Sequence, residues 1–191
     1  MFDDLQKDLI AKWYQFLLIL AVGNIILSVA SFLPIDANMI TWARYVVFLF
    51  TAYCLLQLRG VHVGYRKAAI FRGLFVLCAL ANGTGVIDLT LAVTALSLLA
   101  AYLEYAAHGK AIRKADPILA KKWYTLFNLE LLVLALGTVA SMAAAAALTY
   151  IGTDTGLFTL IQYVVMIAEL ALQVFYLLYL KRTRALFLET E

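Results

Sequence analysis

The chain reads as an all-α integral membrane protein: six transmembrane helices forming three hairpins, with both termini cytoplasmic. Three observations predict this. Of its 191 residues 65% are hydrophobic and only 14% are charged, against roughly 45–50% and 25% in a soluble domain. The apolar residues fall into six separate runs along the whole chain. All but one of the 15 lysines and arginines lie on the same side of the alternation those runs impose. Nucleic-acid binding, a secreted disulfide scaffold and a disordered tail protein are excluded, because no long segment lies outside the apolar runs.

The first span, 14 to 33, follows a leader of mixed charge (Asp3, Asp4, Lys7, Asp8, Lys12). Ser28-Val29-Ala30 has the small residues of a signal-peptidase site. The run exceeds a typical cleavable apolar core and the leader recurs later in the chain, so retention is expected. The second span covers 40 to 58 and the third 70 to 87. Asn82-Gly83-Thr84-Gly85 reads as a loosened helix end before a turn at Asp88. Spans four to six follow at 89 to 108, 123 to 150 and 157 to 180. Each is near the roughly 20 residues that cross about 30 Å of hydrocarbon, and the fifth, the longest, should tilt or protrude. Without period-two alternation the runs are helices, since unpaired backbone is prohibitive in lipid. The chain is one transmembrane domain, 1 to 191, with hairpins 14–58, 70–108 and 123–180.

Cations flanking the spans stay on the cytoplasmic side. They cluster in the leader (Lys7, Lys12), the second loop (Arg59, Arg66, Lys67, Arg72), the fourth loop (Lys110, Arg113, Lys114, Lys121, Lys122) and the tail (Lys181, Arg182, Arg184), with Arg44 alone toward the other face. The outer turns are therefore those at Asp36, Asp88 and Asp154. Arg44 is expected to pair with Asp36, to cap a cavity or to snorkel to outer headgroups.

The chain also matches itself. At an offset of 110 Lys12-Trp13-Tyr14 pairs with Lys122-Trp123-Tyr124 and Val29-Ala30-Ser31 with Val139-Ala140-Ser141, while Tyr45-Val46-Val47 pairs with Tyr163-Val164-Val165 at 118. Spans 1–2 and 5–6 thus read as same-orientation copies, an arrangement some transporters use to build a central cavity. Arg66-Lys67-Ala68 and Arg113-Lys114-Ala115 hint at a third copy. The plainer explanation is interfacial anchoring, which favours Lys-Trp-Tyr at any cytoplasmic boundary.

Charged groups within hydrocarbon are costly and usually face a bundle interior. Glu104, Glu130 and Glu169 qualify. Glu169 lies deepest, with Gln162 at i−7, Gln173 at i+4 and Tyr176 at i+7 forming a polar stripe expected to point inward. In span 4 Thr90, Thr94, Ser97, Ala101, Glu104 and His108 share one face. Its hydroxyls fit close packing and back-bonding. Its Glu–His end lies where a proton would enter or leave. Glu130 has Gly137 and Ser141 on its face, and Asn24, Ser28, Gln57 and Asn82 complete the polar inventory. The candidate substrate- or ion-binding set is Glu169, Glu130, Glu104, Gln173, Gln162, Asn24 and Asn82. Any one of the amides is otherwise ordinary interhelical glue.

No catalytic residue, metal-ligand spacing, glycine loop or cofactor motif is found, and Cys54 and Cys78, each inside an apolar run, carry no redox message. The leading expectation is a small transport protein of the bacterial plasma membrane, binding or passing a cation or small polar solute through a cavity lined by carboxylates and amides. Its partners are then the lipid bilayer, the solute, and a second copy or a partner membrane subunit, with no nucleic acid. The alternative is a non-transporting scaffold or regulatory subunit associating through small-residue faces such as Ala143 to Ala147. Cytoplasmic loops of modest length would then serve as docking points for a partner or anionic lipid.

Overall fold

The computed structural model describes residues 4–151 and 155–188. Among the described residues there are six α-helices and no strand: α1 (Asp4–Ala30), α2 (Ala37–Gln57), α3 (Val63–Gly83), α4 (Thr90–Ile112), α5 (Pro117–Ile151) and α6 (Thr155–Leu188). Five of them, all but α3, are long and apolar enough to cross a membrane. The third span, expected at 70–87, is instead a helix over Val63–Gly83. Any eighteen-residue stretch of it carries Arg66, Lys67 and Arg72, which sets it apart from the others. The apolar character of the chain continues past Gly83 into the turn that follows the helix.

The breaks between helices have local causes. Asp36 caps α2 by accepting from the Asn38 N–H at 2.8 Å, and Pro34 sits in the turn before it. A single 3₁₀ turn, Leu58–Gly60, joins α2 to α3, whose N-cap His62 accepts from the Gly64 N–H at 2.9 Å. Between α3 and α4, Gly85 takes a φ of 70°, a conformation glycine adopts without strain. Asp88 accepts from the Thr90 N–H at 3.0 Å, and these Thr90 contacts hold its carboxyl below the usual range. Asp116 caps α5 through the Leu119 N–H at 2.8 Å, with Pro117 at the first helical position, where its missing N–H is harmless.

The connections expected to be cytoplasmic loops are mostly helix. Arg66 and Lys67 lie in the opening turns of α3, and Lys121 and Lys122 in those of α5. Lysine and arginine are good helix formers, so a helix need not end where the charges begin.

Successive helices pack side by side, α1 on α2 through α5 on α6, and α6 returns to pack on α1, closing a ring. The start of α1 meets the end of α6, where Arg184 Nε donates to the Ala11 carbonyl and Tyr14 stacks on Phe187. Toward the far end Phe32 stacks on Tyr163. Side chains such as Leu91, Met39 and Leu77 are exposed on the outside, as expected of surfaces solvated by lipid rather than water.

Candidate functional site

Where the lysines and arginines gather, the ring is filled. Tyr14, Tyr65, His108 and Trp123, from α1, α3, α4 and α5, are all fully buried. The Trp123 indole stacks on His108 at 4.5 Å and donates through Nε1 to Thr183 Oγ1 on α6 at 3.2 Å. The Tyr14 and Tyr65 hydroxyls are 2.5 Å apart and lie 3.3 and 3.0 Å from His108 Nδ1. With Nδ1 accepting from Tyr65, the ring proton belongs on Nε2, which faces Glu104 Oε1 at 3.8 Å one helical turn away.

Glu104 is the keystone of this packing. Arg72 of α3 donates through Nη2 to one carboxylate oxygen, and the Tyr176 hydroxyl of α6 donates to the other. Removing two opposite charges from water is expensive, and close pairing with further hydrogen bonds is what makes it tolerable. The Glu–His end of α4, expected at a cytoplasmic mouth, is thus a sealed core. The tyrosines of α1 and α3 and the indole of α5 cover it.

Above this cluster lies a cavity of about 330 Å³, lined by side chains from all six helices. Arg72, Tyr105 and Tyr176 form its floor, and Glu130, Glu169, Asn24 and Gln173 stand in its walls. Tyr105 and Glu130 line the cavity together, and the Glu130 Oε2 is buried without a hydrogen-bond partner. Arg72 Nε is likewise unpartnered. Buried polar atoms nearly always find a partner, and these two border the cavity, one at its floor and one in its wall, where water or a ligand would complement them. Arg44 of α2 does not line the cavity, and its Nε is also buried without a hydrogen-bond partner.

Four of the seven expected residues, Glu130, Glu169, Asn24 and Gln173, therefore meet in one space. Glu104 sits beneath it, in the floor's ion pair. Asn82 belongs to the α3–α4 turn, where its Oδ1 accepts from the Leu89 N–H at 2.7 Å. Gln162 shares the face of Glu169 but lies two turns nearer the start of α6 and does not line the cavity; both side chains are exposed, so the stripe expected to point inward does so only in part. In α4 the hydroxyls back-bond, Thr94 to the Thr90 carbonyl and Ser97 to that of Thr94. Gly137 is the close-approach point of α5 on Val165 of α6. Most side chains of the Ala143 to Ala147 run, and those of Ser141 and Asp154, lie outside the described residues.

The residue that sequence reasoning missed is Arg72, counted among loop cations yet nine residues into α3 and paired inside the bundle. The signal was indirect: an intramembrane Glu104 requires a partner, and Arg72, like Arg44, falls inside an expected span, here 70 to 87. Among the described residues no three His, Cys, Asp or Glu gather to hold a metal. No protein-family model, curated protein or solved structure matches the chain.

Proposed function

We propose that the protein is a small membrane transport protein that binds a cation or small polar solute in the central cavity, with its lysine- and arginine-rich end in the cytoplasm. One observation carries the reading: all six helices line a space of about 330 Å³ whose chiefly apolar wall holds two carboxylates and two amides. A membrane protein that served only as a scaffold would gain stability by filling that space, since voids forfeit packing contacts.

The chemistry follows from the walls. Glu130 and Glu169 attract positive charge in a low-dielectric setting, where either a proton or a cation relieves the cost of the bare carboxylate. Exchange of one for the other couples solute binding to proton movement. The floor, with Arg72 bound to Glu104 and Tyr176, is the barrier that must rearrange for a solute to reach the cytoplasm. The same reading takes α1–α2 and α5–α6 as copies of one hairpin. The sequential ring is consistent with copies around an axis, although Trp13 packs against Tyr53 while Trp123 is buried on His108.

The test is flux through purified protein in liposomes, with a proton-sensitive dye inside and potassium, ammonium or small amines outside. Solute-driven proton movement is expected, and it should vanish in Glu169→Gln and Glu130→Gln variants that retain their helical circular dichroism. If the parent protein moves neither solute nor protons, the transport reading fails and a non-transporting scaffold takes its place.

A further inference from the structure

We infer that the solute is an organic monocation, a protonated amine on a compact apolar body, bound with its charged end at Glu130. The inference rests on the transport reading of the same cavity and specifies what the cavity selects.

Charge favours a cation. Beneath the cavity Arg72 is matched by Glu104. Glu169 stands in the wall but is exposed. Glu130 is the more enclosed carboxylate of the wall, and its Oε2 is buried without a hydrogen-bond partner. A single positive charge answers that carboxylate, and an anion would add to the negative charge already there.

The wall narrows the choice further. A bare metal ion must exchange its hydration shell for several oxygen ligands at close range, and no acidic or imidazole group of that kind gathers among the described residues. A sugar or other polyol would need many hydrogen-bond partners. Of the polar groups in the lining, Thr51 donates to the Val47 carbonyl at 2.8 Å, Ser97 to that of Thr94 at 2.8 Å, and Gln173 to Ser28 at 3.0 Å, which leaves Asn24 as the one other amide. The remaining surface is chiefly apolar, including Leu17, Val47, Phe75, Leu98 and Leu172. Such a surface receives a hydrocarbon body and rejects a strongly hydrated one. At about 330 Å³ the space is near the small end of ligand pockets, so the body is no larger than one ring with a short tether.

Phenethylammonium is the probe, with 2-phenylethanol as its neutral counterpart, 3-phenylpropionate as the anion and potassium as the bare ion. Radiolabelled probe should bind the detergent-purified protein saturably. Phenylethanol and phenylpropionate should compete at least tenfold more weakly than unlabelled amine, and potassium should not compete. Glu130→Gln should weaken amine binding at least tenfold, and Trp42→Ala, on the outer surface, should leave it unchanged. If Glu130→Gln does not fold, the parent's discrimination between amine and alcohol decides the matter. Equal binding of amine and alcohol, or liposome flux of potassium or a polyol without amine binding, overturns the organic-cation inference while leaving transport standing. Absence of flux for every solute overturns the transport reading itself.

Discussion

In the half of the ring nearest the lysines and arginines, an indole, two phenols, an imidazole and a carboxylate are packed until none touches solvent. In the middle of the same helices, two further carboxylates border open space and an unpartnered oxygen. Both regions draw on the same six helices and similar residue types. For the carboxylates the difference is one of partners: Glu104 has Arg72 and Tyr176, whereas Glu130 keeps an Oε2 with no hydrogen-bond partner. Satisfied polar groups can be sealed into a core. An under-satisfied one keeps its surroundings available for something else, and the packed half supplies the rigidity that lets the other half remain open.

The sharpest way to break this contrast is to hollow out the packed half. Trp123→Ala removes a fully buried indole, its stack on His108 and its bond to Thr183, and should cost about 3–5 kcal/mol. Trp42, 61% exposed on α2, should tolerate the same truncation within about 0.5 kcal/mol. Unfolding in mixed micelles of mild detergent and dodecyl sulfate measures both. Equal losses would mean that the two halves contribute alike.

Next in size is the ion pair beneath the cavity. Arg72→Met leaves Glu104 buried without its cation, for an expected loss of about 3 kcal/mol. Adding Glu104→Gln removes the stranded charge while keeping an acceptor for Tyr176, and should restore at least half of the loss. A double variant no better than Arg72→Met would mean that the pair is not what holds the floor together.

This pair also marks the boundary of what could be read from the sequence. Glu169, Gln173 and Tyr176 recur at helical spacing on one strongly apolar segment, so their common face was legible and the structure brings all three to the cavity. Spacing within one helix carries no information on how far the cavity extends, so Gln162 looked equivalent. Arg72 was illegible for another reason: its charge is what topology rules count, and only tertiary packing distinguishes a cation that flanks a span from one that enters it. The Lys-Trp-Tyr matches are real in sequence, but they place Tyr14 and Trp123, not Trp13 and Trp123, in the core. Which residue of such a triplet turns inward depends on helix rotation, which a three-residue match does not encode.

Glycines probe the same contrast with changes of opposite sign. A Cβ on Gly109, at the α4–α5 contact of the packed half, would meet Tyr124 Cε2 at 2.9 Å and the Ala120 carbonyl oxygen at 3.1 Å. Gly109→Ala should therefore destabilise by about 1–2 kcal/mol through overpacking. At Gly23, inside α1 at the level of the cavity, nothing lies within 4 Å. There alanine should stabilise by about 0.5–1 kcal/mol, by lowering the helix's entropic cost. Detergent melting temperatures shifting in opposite directions would support the division, and a loss at Gly23 as large as that at Gly109 would refute it.

The smallest expected effect lies at the rim of the packed half, where His62 caps the helix that carries Tyr65 and Arg72. Its Nδ1 accepts from the Gly64 N–H, which requires an unprotonated nitrogen. Partial burial and the positive charge of Lys110 hold its pKa below the ordinary value of 6.5. Because the folded state resists protonation more than the unfolded chain does, the contribution is fully present above about pH 6.5 and is lost as pH falls through the depressed folded value. Asparagine is a good N-cap that does not titrate in this window. Between pH 7.5 and 5.5 the parent should therefore lose stability relative to His62→Asn, by less than about 1 kcal/mol. The two proteins should melt almost together at pH 7.5 and diverge only on acidification. A constant difference across that range would show that the imidazole holds the rim by packing rather than as a neutral cap, and the pH sensitivity of the packed half would have to originate deeper, among the partners of Glu104.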